Sequence, residues 1–369
     1  MKTRITPIER KRLDLDPKYT YLGRNMLMDE HPPSIREGML EYITNDELAQ
    51  YSNMERLYEK LGKYLAMEHD YIDSYSMENL LITYGVEGAF KMVFDTYDLV
   101  GESVGVLRPT CAMMHFLPKV FGTNIIELSG SAPNYEITVD DIMKIIPKIK
   151  VLFLDNPKCH MENHFNCDDV FDIIDRAEKY GVLVFLDEIY IGYGTQSFLE
   201  EGSYDITRFD NLIVSSSFSK SHMLPSLKFG WLLTDKKTKF ELESTRYTYE
   251  SSYPTSSIAE YVCDNPEYFE YFKESVITKR NRFLKQFRVL EQAMLSSHSA
   301  SFSVFGGDTY NIRLYSENEQ HVSRINNNFL DNNLVVGTYE DVNLYFSVPM
   351  NSEIEHAVYR SLEMGDGRL

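Results

Sequence analysis

VLFLDNPKCHMENHFNCDDVFDIIDRAEKYGVLVFLDEIY, residues 151–190, holds two short apolar runs on either side of an amphipathic stretch. Val151–Leu154 and Val182–Leu186 are continuous β-type runs, as in strands buried on both faces. Between them, Val170, Ile173, Ile174 and Ala177 recur at i, i+3, i+4 and i+7, which places them on one face of a helix from Asp168 to Tyr180. Asp168 or Asp169 can cap its start, and Gly181 can end it. Strand, helix and strand in that order make a βαβ crossover, the repeating unit of a parallel sheet covered by helices.

Working outward, Leu80–Tyr84, Val104–Leu107, Ile125–Leu128 and Leu212–Ser215 supply further strands, with helical stretches between several of them. After about Ser252 the texture changes. A long helix over Pro266–Met294 leads to the short segments Tyr310–Leu314, Leu334–Gly337 and Tyr345–Val348, then to a last helix over Ser352–Glu363. The expected fold is α/β: an N-terminal arm (1–35), a large domain with a mainly parallel sheet (36–252), and a smaller α+β C-terminal domain (253–369) that the arm joins. No repeat, low-complexity tract or Pro/Gly-rich linker separates the domains, so the boundary is expected in a helix shared between them.

The 369 residues carry 37 Lys+Arg against 56 Asp+Glu, a formal charge of −19, which repels phosphate backbones and anionic lipid. Neither nucleic acid nor a membrane surface is therefore expected as the principal partner. The opening MKTRITPIERKRLDLDPKY has no apolar core of a signal peptide, and no run reaches the roughly 18 apolar residues of a membrane span. A cytoplasmic location is the expectation. Cys111, Cys159, Cys167 and Cys263 are too scattered for a disulfide framework, in keeping with a reducing compartment. Cys159, His160, His164 and Cys167 crowd into nine residues, but adjacent Cys159 and His160 converge poorly on one ion, so no metal is expected.

Ligands of open α/β sheets gather at the carboxyl ends of the strands. There, Leu183–Leu186 runs into Asp187 and Glu188 with Tyr190 close behind, and Val214 leads through a run of hydroxyls to Lys220. Lys228 and Gly230 follow in SKSHMLPSLKFGW. Together LDEIY, SSSFSKSHMLPSLKFGW and TYGVEGAF resemble the fold-type I pyridoxal-phosphate enzymes, and within them the class I/II aminotransferases of the histidinol-phosphate aminotransferase type. The likeness runs from about Tyr21 to the end of the chain and includes SSYPTSSIAE.

The resemblance implies pyridoxal 5′-phosphate as cofactor, a small-molecule amino substrate and a homodimer. It implies Lys220 as the Schiff-base lysine and proton shuttle, Asp187 as partner of the ring nitrogen, and Tyr190 as partner of the ring's phenolic oxygen. The cofactor's phosphate would meet Gly85, Val86 and Glu87 at a helix start, the Ser217 hydroxyl and Lys228, where the family usually has arginine. Tyr51 resembles the tyrosine that reaches a phosphate across the dimer interface.

Three departures limit the likeness. Cys111 stands where an aromatic ring usually stacks. The family's NPxNPTG loop reads Asn156-Pro157-Lys158-Cys159-His160-Met161-Glu162, so that either Asn156 or Cys159 faces the ring oxygen. Tyr345 stands near the arginine that usually clamps the substrate α-carboxylate. That clamp's absence implies an atypical amino substrate, or a replacement cation among Arg24, Arg36, Arg246 and Arg313. Arg24, Asn25 and His31 lie in an N-terminal stretch similar to one that folds over substrate, with Asp29 and Glu30 as acidic neighbours. Transamination is the expected reaction. The alternatives are a related cyclase, lyase or decarboxylase of the capreomycidine-synthase kind, and a cofactor-binding protein without turnover.

Overall fold

The computed structural model describes residues 16–27, 30–44, 48–68, 78–159, 161, 163–201, 205–249, 251–296 and 302–363. Among them, one compact unit holds 31–159 and 163–270, and another holds 16–30 and 271–363 with Met161. The helix Pro266–Ser296 supplies residues to both.

The larger unit is built on a seven-stranded sheet in the order Leu80–Tyr84, Phe229–Thr234, Leu212–Ser217, Leu183–Asp187, Val151–Asp155, Ser103–Arg108, Asn124–Ser129. The last five strands are mutually parallel, and Phe229–Thr234 runs antiparallel to both its neighbours. Side-chain alternation explains why the central runs are apolar throughout. Leu152, Leu154, Val184 and Leu186 enter one core cluster, while Val151, Phe153 and Phe185 enter another. In the second, Phe153 sits edge-on to Phe90 at 5.6 Å between centroids and stacks on Phe94 at 5.6 Å.

The crossover helix spans Cys167–Glu178, with Val170, Ile173, Ile174 and Ala177 all buried. Its cap is neither Asp168 nor Asp169 but Asn166, whose side chain accepts from the Asp169 N–H. The helix begins one residue earlier than the apolar spacing alone suggests. Both aspartates then fall in its first turn, where negative charge meets the positive end of the helix dipole. Gly181 ends the segment at φ +63°, and the next N–H, that of Val182, donates to the Ala177 carbonyl. Phe229–Thr234 is a strand that the sequence reading did not mark.

The smaller unit contains a four-stranded antiparallel sheet, Gly337–Tyr339, Asn343–Ser347, Asn311–Tyr315, Ser303–Phe305. A separate pair joins Thr20–Tyr21 to Leu334–Val335 in parallel. The single segment expected over Leu334–Gly337 is thus divided between two sheets. The last helix covers Ser352–Glu363 as expected.

Truncating Phe153 leaves a hole among the rings of Phe90, Phe94 and Phe185. Phe153→Ala should lower unfolding free energy by about 3–5 kcal/mol in a denaturant titration, and a loss under about 1 kcal/mol would contradict this packing.

Candidate active site

Parallel strands deliver their carboxyl ends to one edge of the sheet. Asp155 pairs in register with Asp187, and Asp187 with Ser215, so the polar residues that follow three apolar runs meet there. Asp187 is buried, and its Oδ1 accepts from the Ile189 N–H at 3.1 Å. Burial first, and the neighbouring Asp155 carboxyl second, raise its pKa to about 8.

Lys220 lies in the short helix Phe218–Ser221 directly after the strand Leu212–Ser217. Ser217 caps that helix by accepting from the Ser219 N–H at 3.2 Å, and the Tyr193 hydroxyl donates to the Lys220 carbonyl at 2.9 Å. The Lys220 ammonium is 5.9 Å from the centroid of the Tyr190 ring, and burial lowers its pKa. The same dry surroundings therefore favour a neutral carboxyl and a neutral amine. One residue from Ser221, the buried His222 connects the Ser221 hydroxyl (2.6 Å) to the Tyr64 hydroxyl (2.9 Å).

Tyr190 is buried, and the Cys159 thiol donates to its hydroxyl at 3.8 Å. Asn156 is committed elsewhere. Its Nδ2 donates to the Phe165 carbonyl at 3.0 Å and its Oδ1 accepts from the Phe165 N–H at 2.8 Å, closing the loop that follows the strand Val151–Asp155. Of the two candidates for the ring oxygen, Cys159 is the one beside Tyr190; Asn156 is a loop clamp. Cys111 is partly exposed, and burial of its thiol, with Asp187, Asp155 and Glu87 adding, raises its pKa to about 11.

The strand Leu80–Tyr84 turns into the helix Gly85–Thr96 at Gly85, whose φ of +61° suits glycine. No side chain caps that helix, so the amides of its first turn stay available to an anion. Gly230 pairs with Ser217, and a Cβ there would lie 2.8 Å from the Gly85 Cα. Two glycines thus bring the Ser217 strand against the helix start. Lys228, at φ +53°, reaches Glu87 at 3.0 Å. Amides, a hydroxyl and an ammonium fit a phosphate group, and the Glu87 carboxylate competes for that ammonium. Tyr51 is 78% exposed and stacks on Tyr249 with centroids 4.3 Å apart.

The residues expected around substrate divide between the units. His31, in the larger unit, shares a hydrogen bond with the Tyr268 hydroxyl at 3.2 Å. In the smaller unit the Arg24 guanidinium lies 5.1 Å from the Tyr21 ring centroid. The Asn25 carbonyl accepts from the Tyr310 hydroxyl at 2.7 Å. Tyr345 faces Gly337 across the sheet, where a Cβ would come within 2.0 Å of its ring. Asp29 and His160 lie outside the described residues. No group of three or more potential metal ligands forms among the described residues.

Sequence reading missed Asp155, Tyr193 and His222. For Asp155 a signal was present, because VLFLD at 151–155 repeats the pattern of LVFLD at 183–187. Tyr193 and His222 act through contacts distant in sequence and gave none.

The family model described as aminotransferase class I and II matches residues 17–333. The histidinol-phosphate aminotransferase of Crocosphaera subtropica is 25% identical over 258 residues, covering 68% of this chain and 70% of the relative. That of Archaeoglobus fulgidus is 24% identical over 269 residues, 72% of this chain and 77% of the relative. Among solved structures, histidinol-phosphate aminotransferase from Sinorhizobium meliloti in complex with pyridoxal-5′-phosphate superposes with a TM-score of 0.76 at 14% identity, covering 94% of this chain and 90% of that one. A PLP-bound C-S lyase from Staphylococcus hominis reaches 0.76 at 14% identity, covering 93% and 90%. These likenesses establish a shared fold.

Freeing Lys228 from Glu87 should strengthen an anion site at the start of the helix Gly85–Thr96. Glu87→Gln is expected to bind inorganic phosphate severalfold more tightly, on the order of 1 kcal/mol, in isothermal titration. Unchanged or weaker binding would contradict the assignment.

Proposed function

Because the chain belongs to the class I and II aminotransferases, fold-type I enzymes that depend on pyridoxal 5′-phosphate, we propose that it transfers an amino group from an atypical small-molecule substrate. The observation that carries this reading is the position of the half-buried Lys220 directly after the strand Leu212–Ser217 at the sheet's carboxyl edge, 5.9 Å from the Tyr190 ring centroid and within the electrostatic reach of Asp187. The bound cofactor supplies an aldehyde for amines to condense with and a ring that draws electrons from the carbon next to the nitrogen.

The protein's part follows from the side chains. Lys220, its basicity lowered by its surroundings, would hold the cofactor through its Nζ and, once an amine substrate has freed it, would carry a proton between neighbouring atoms. Asp187, with proton affinity raised by its surroundings, suits a carboxylate that holds a ring N–H in place. Tyr190 presents its hydroxyl with the neutral Cys159 thiol behind it, a softer partner than an amide. Gly85, Val86, Glu87, Ser217 and Lys228 would hold the phosphate. Exposed Tyr51, stacked on Tyr249, suits a reach toward a second copy of the chain, and we assign a homodimer on that ground. The acidic composition and four scattered cysteines support a cytoplasmic enzyme without nucleic-acid partners. No helix among the described residues is long and apolar enough to cross a membrane.

Substrate choice rests on Tyr345. A phenol donates one neutral hydrogen bond where a carboxylate usually meets a charged fork, so the substrate either lacks an α-carboxylate or finds another arginine. Arg313 is fully buried, donating to Asn343 Oδ1 at 2.7 Å and lying 4.0 Å over the Phe305 ring, and Arg246 pairs with Glu243 at 2.8 Å. Arg24 and Arg36, the latter exposed on the helix Pro33–Glu41, are the two left, and Arg24, in the stretch similar to one that folds over substrate, is the first candidate.

A half-reaction tests both parts. The protein loaded with cofactor is mixed with serinol-type and sugar-type amines, glutamate, aspartate and arginine, and spectra follow conversion of the cofactor from its aldehyde to its amine form. The reading expects conversion by at least one amine. It also expects conversion by an α-carboxylate amine, where seen, to fall tenfold or more in Arg24→Ala, about 1.4 kcal/mol. Release of a cyclised, eliminated or decarboxylated product without conversion would select the cyclase, lyase or decarboxylase reading, and silence with every amine would select binding without turnover. Separately, Asp187→Asn should still bind cofactor, though more weakly, yet lose far more than tenfold in turnover at saturating cofactor, and a loss within about tenfold would overturn the role of Asp187.

A further inference from the structure

Asp155 ends the strand Val151–Asp155 just as Asp187 ends Leu183–Asp187, and the two are direct neighbours in parallel register. In-register residues of adjacent strands point to the same face, so both carboxyls lie on one side of one sheet edge. They are 3% and 4% exposed. Asp155 Oδ2 accepts from the Cys159 N–H at 2.9 Å and the Thr110 side chain also favours the ionised carboxyl, whereas among the described residues no donor lies within hydrogen-bond distance of the buried Oδ1. A buried carboxylate oxygen lacking a donor is costly, and so are two adjacent ionised carboxylates. Either a proton held by the pair or a cation placed against it removes both penalties.

The surrounding groups leave that choice open to a ligand. Lys158, on the same loop, is turned to the Tyr135 carbonyl at 3.0 Å. Lys220 faces Asp187 from the helix Phe218–Ser221, but burial disfavours its charge. Cys111 and Cys159 are thiols held neutral by raised pKa values, and Glu87 and Glu188 add negative charge.

We propose that Asp155 is a positioning residue acting through Asp187, the two carboxyls forming one unit that shares a single proton in the cofactor-free protein and grips a protonated heteroaromatic N–H when one is bound. The inference rests on the reading of Asp187 given above and adds a second acid behind it. Its consequence is a pH dependence with a definite sign. Both carboxyls have raised folded-state pKa values, so the folded protein binds more protons than the unfolded chain between the ordinary carboxylate range near 4 and about 8. Without cofactor, stability is fully present below that window and falls as pH rises through it. A cation against the pair reverses the trend by stabilising the ionised form.

The test compares the full-length protein with Asp155→Asn and Asp155→Ser, each with and without pyridoxal 5′-phosphate, by thermal unfolding from pH 4 to 9 and by spectroscopic titration of cofactor affinity across the same range. The proposal expects the cofactor-free wild type to lose stability toward pH 8. In the variants the window should narrow from its alkaline end by roughly one pH unit, and cofactor affinity at neutral pH should fall about tenfold or more. Variant curves that differ from the wild type only by a uniform offset, with unchanged affinity, would overturn the role of Asp155. That outcome is distinct from failure of the underlying reading, in which the wild type itself would bind no pyridoxal 5′-phosphate.

Discussion

Burial of ionisable groups at one edge of a parallel sheet is the constraint from which the rest of the site follows. Strands running in one direction must all end on the same side, and here the ends at Asp155, Asp187 and Ser217 bring two acids and a hydroxyl together. Taking these groups from water favours their neutral forms, raising the acids and lowering Lys220. A lysine of lowered basicity and a carboxyl that binds a proton tightly are two products of one desolvation. Neither condition helps the fold by itself, and the apolar clusters on both faces of the sheet bear the cost.

Close backbone approach is the second requirement. Gly85 and Gly230 let the helix Gly85–Thr96 begin against the strand that carries Ser217, and the uncapped first turn gives an anion its partners. The departures from the family pattern fall in the side chains around this frame. Lys228 pairs with Glu87, a thiol stands beside Tyr190, and the Tyr345 ring fills the space over Gly337. The frame is that of an aminotransferase, and under the reading proposed above a shift of substrate would be written in these side chains.

Period and position made much of this legible in the sequence. The crossover helix could be read from Val170, Ile173, Ile174 and Ala177, and Asp187 and Lys220 stood out because each follows an apolar run. What escaped depended on partners distant in the chain. Phe229–Thr234 has no alternation, because both of its faces are buried, and it directly follows the Lys228 motif. The sequence leaves Asn156 and Cys159 open as partners of the ring oxygen, and the closing of the Asn156 amide on Phe165, nine residues on, carries no sequence signal. The support that Tyr193 gives to the Lys220 backbone crosses 27 residues and leaves no pattern in either segment.

The central claim is that Lys220 is the residue through which this chain holds its cofactor. Borohydride reduction of the protein loaded with pyridoxal 5′-phosphate, followed by peptide mass mapping, tests it most directly. The account predicts a single modified peptide with the label on Lys220, and none when Lys220→Ala is treated in the same way. A label on another lysine, or equal labelling of the Lys220→Ala variant, would contradict it.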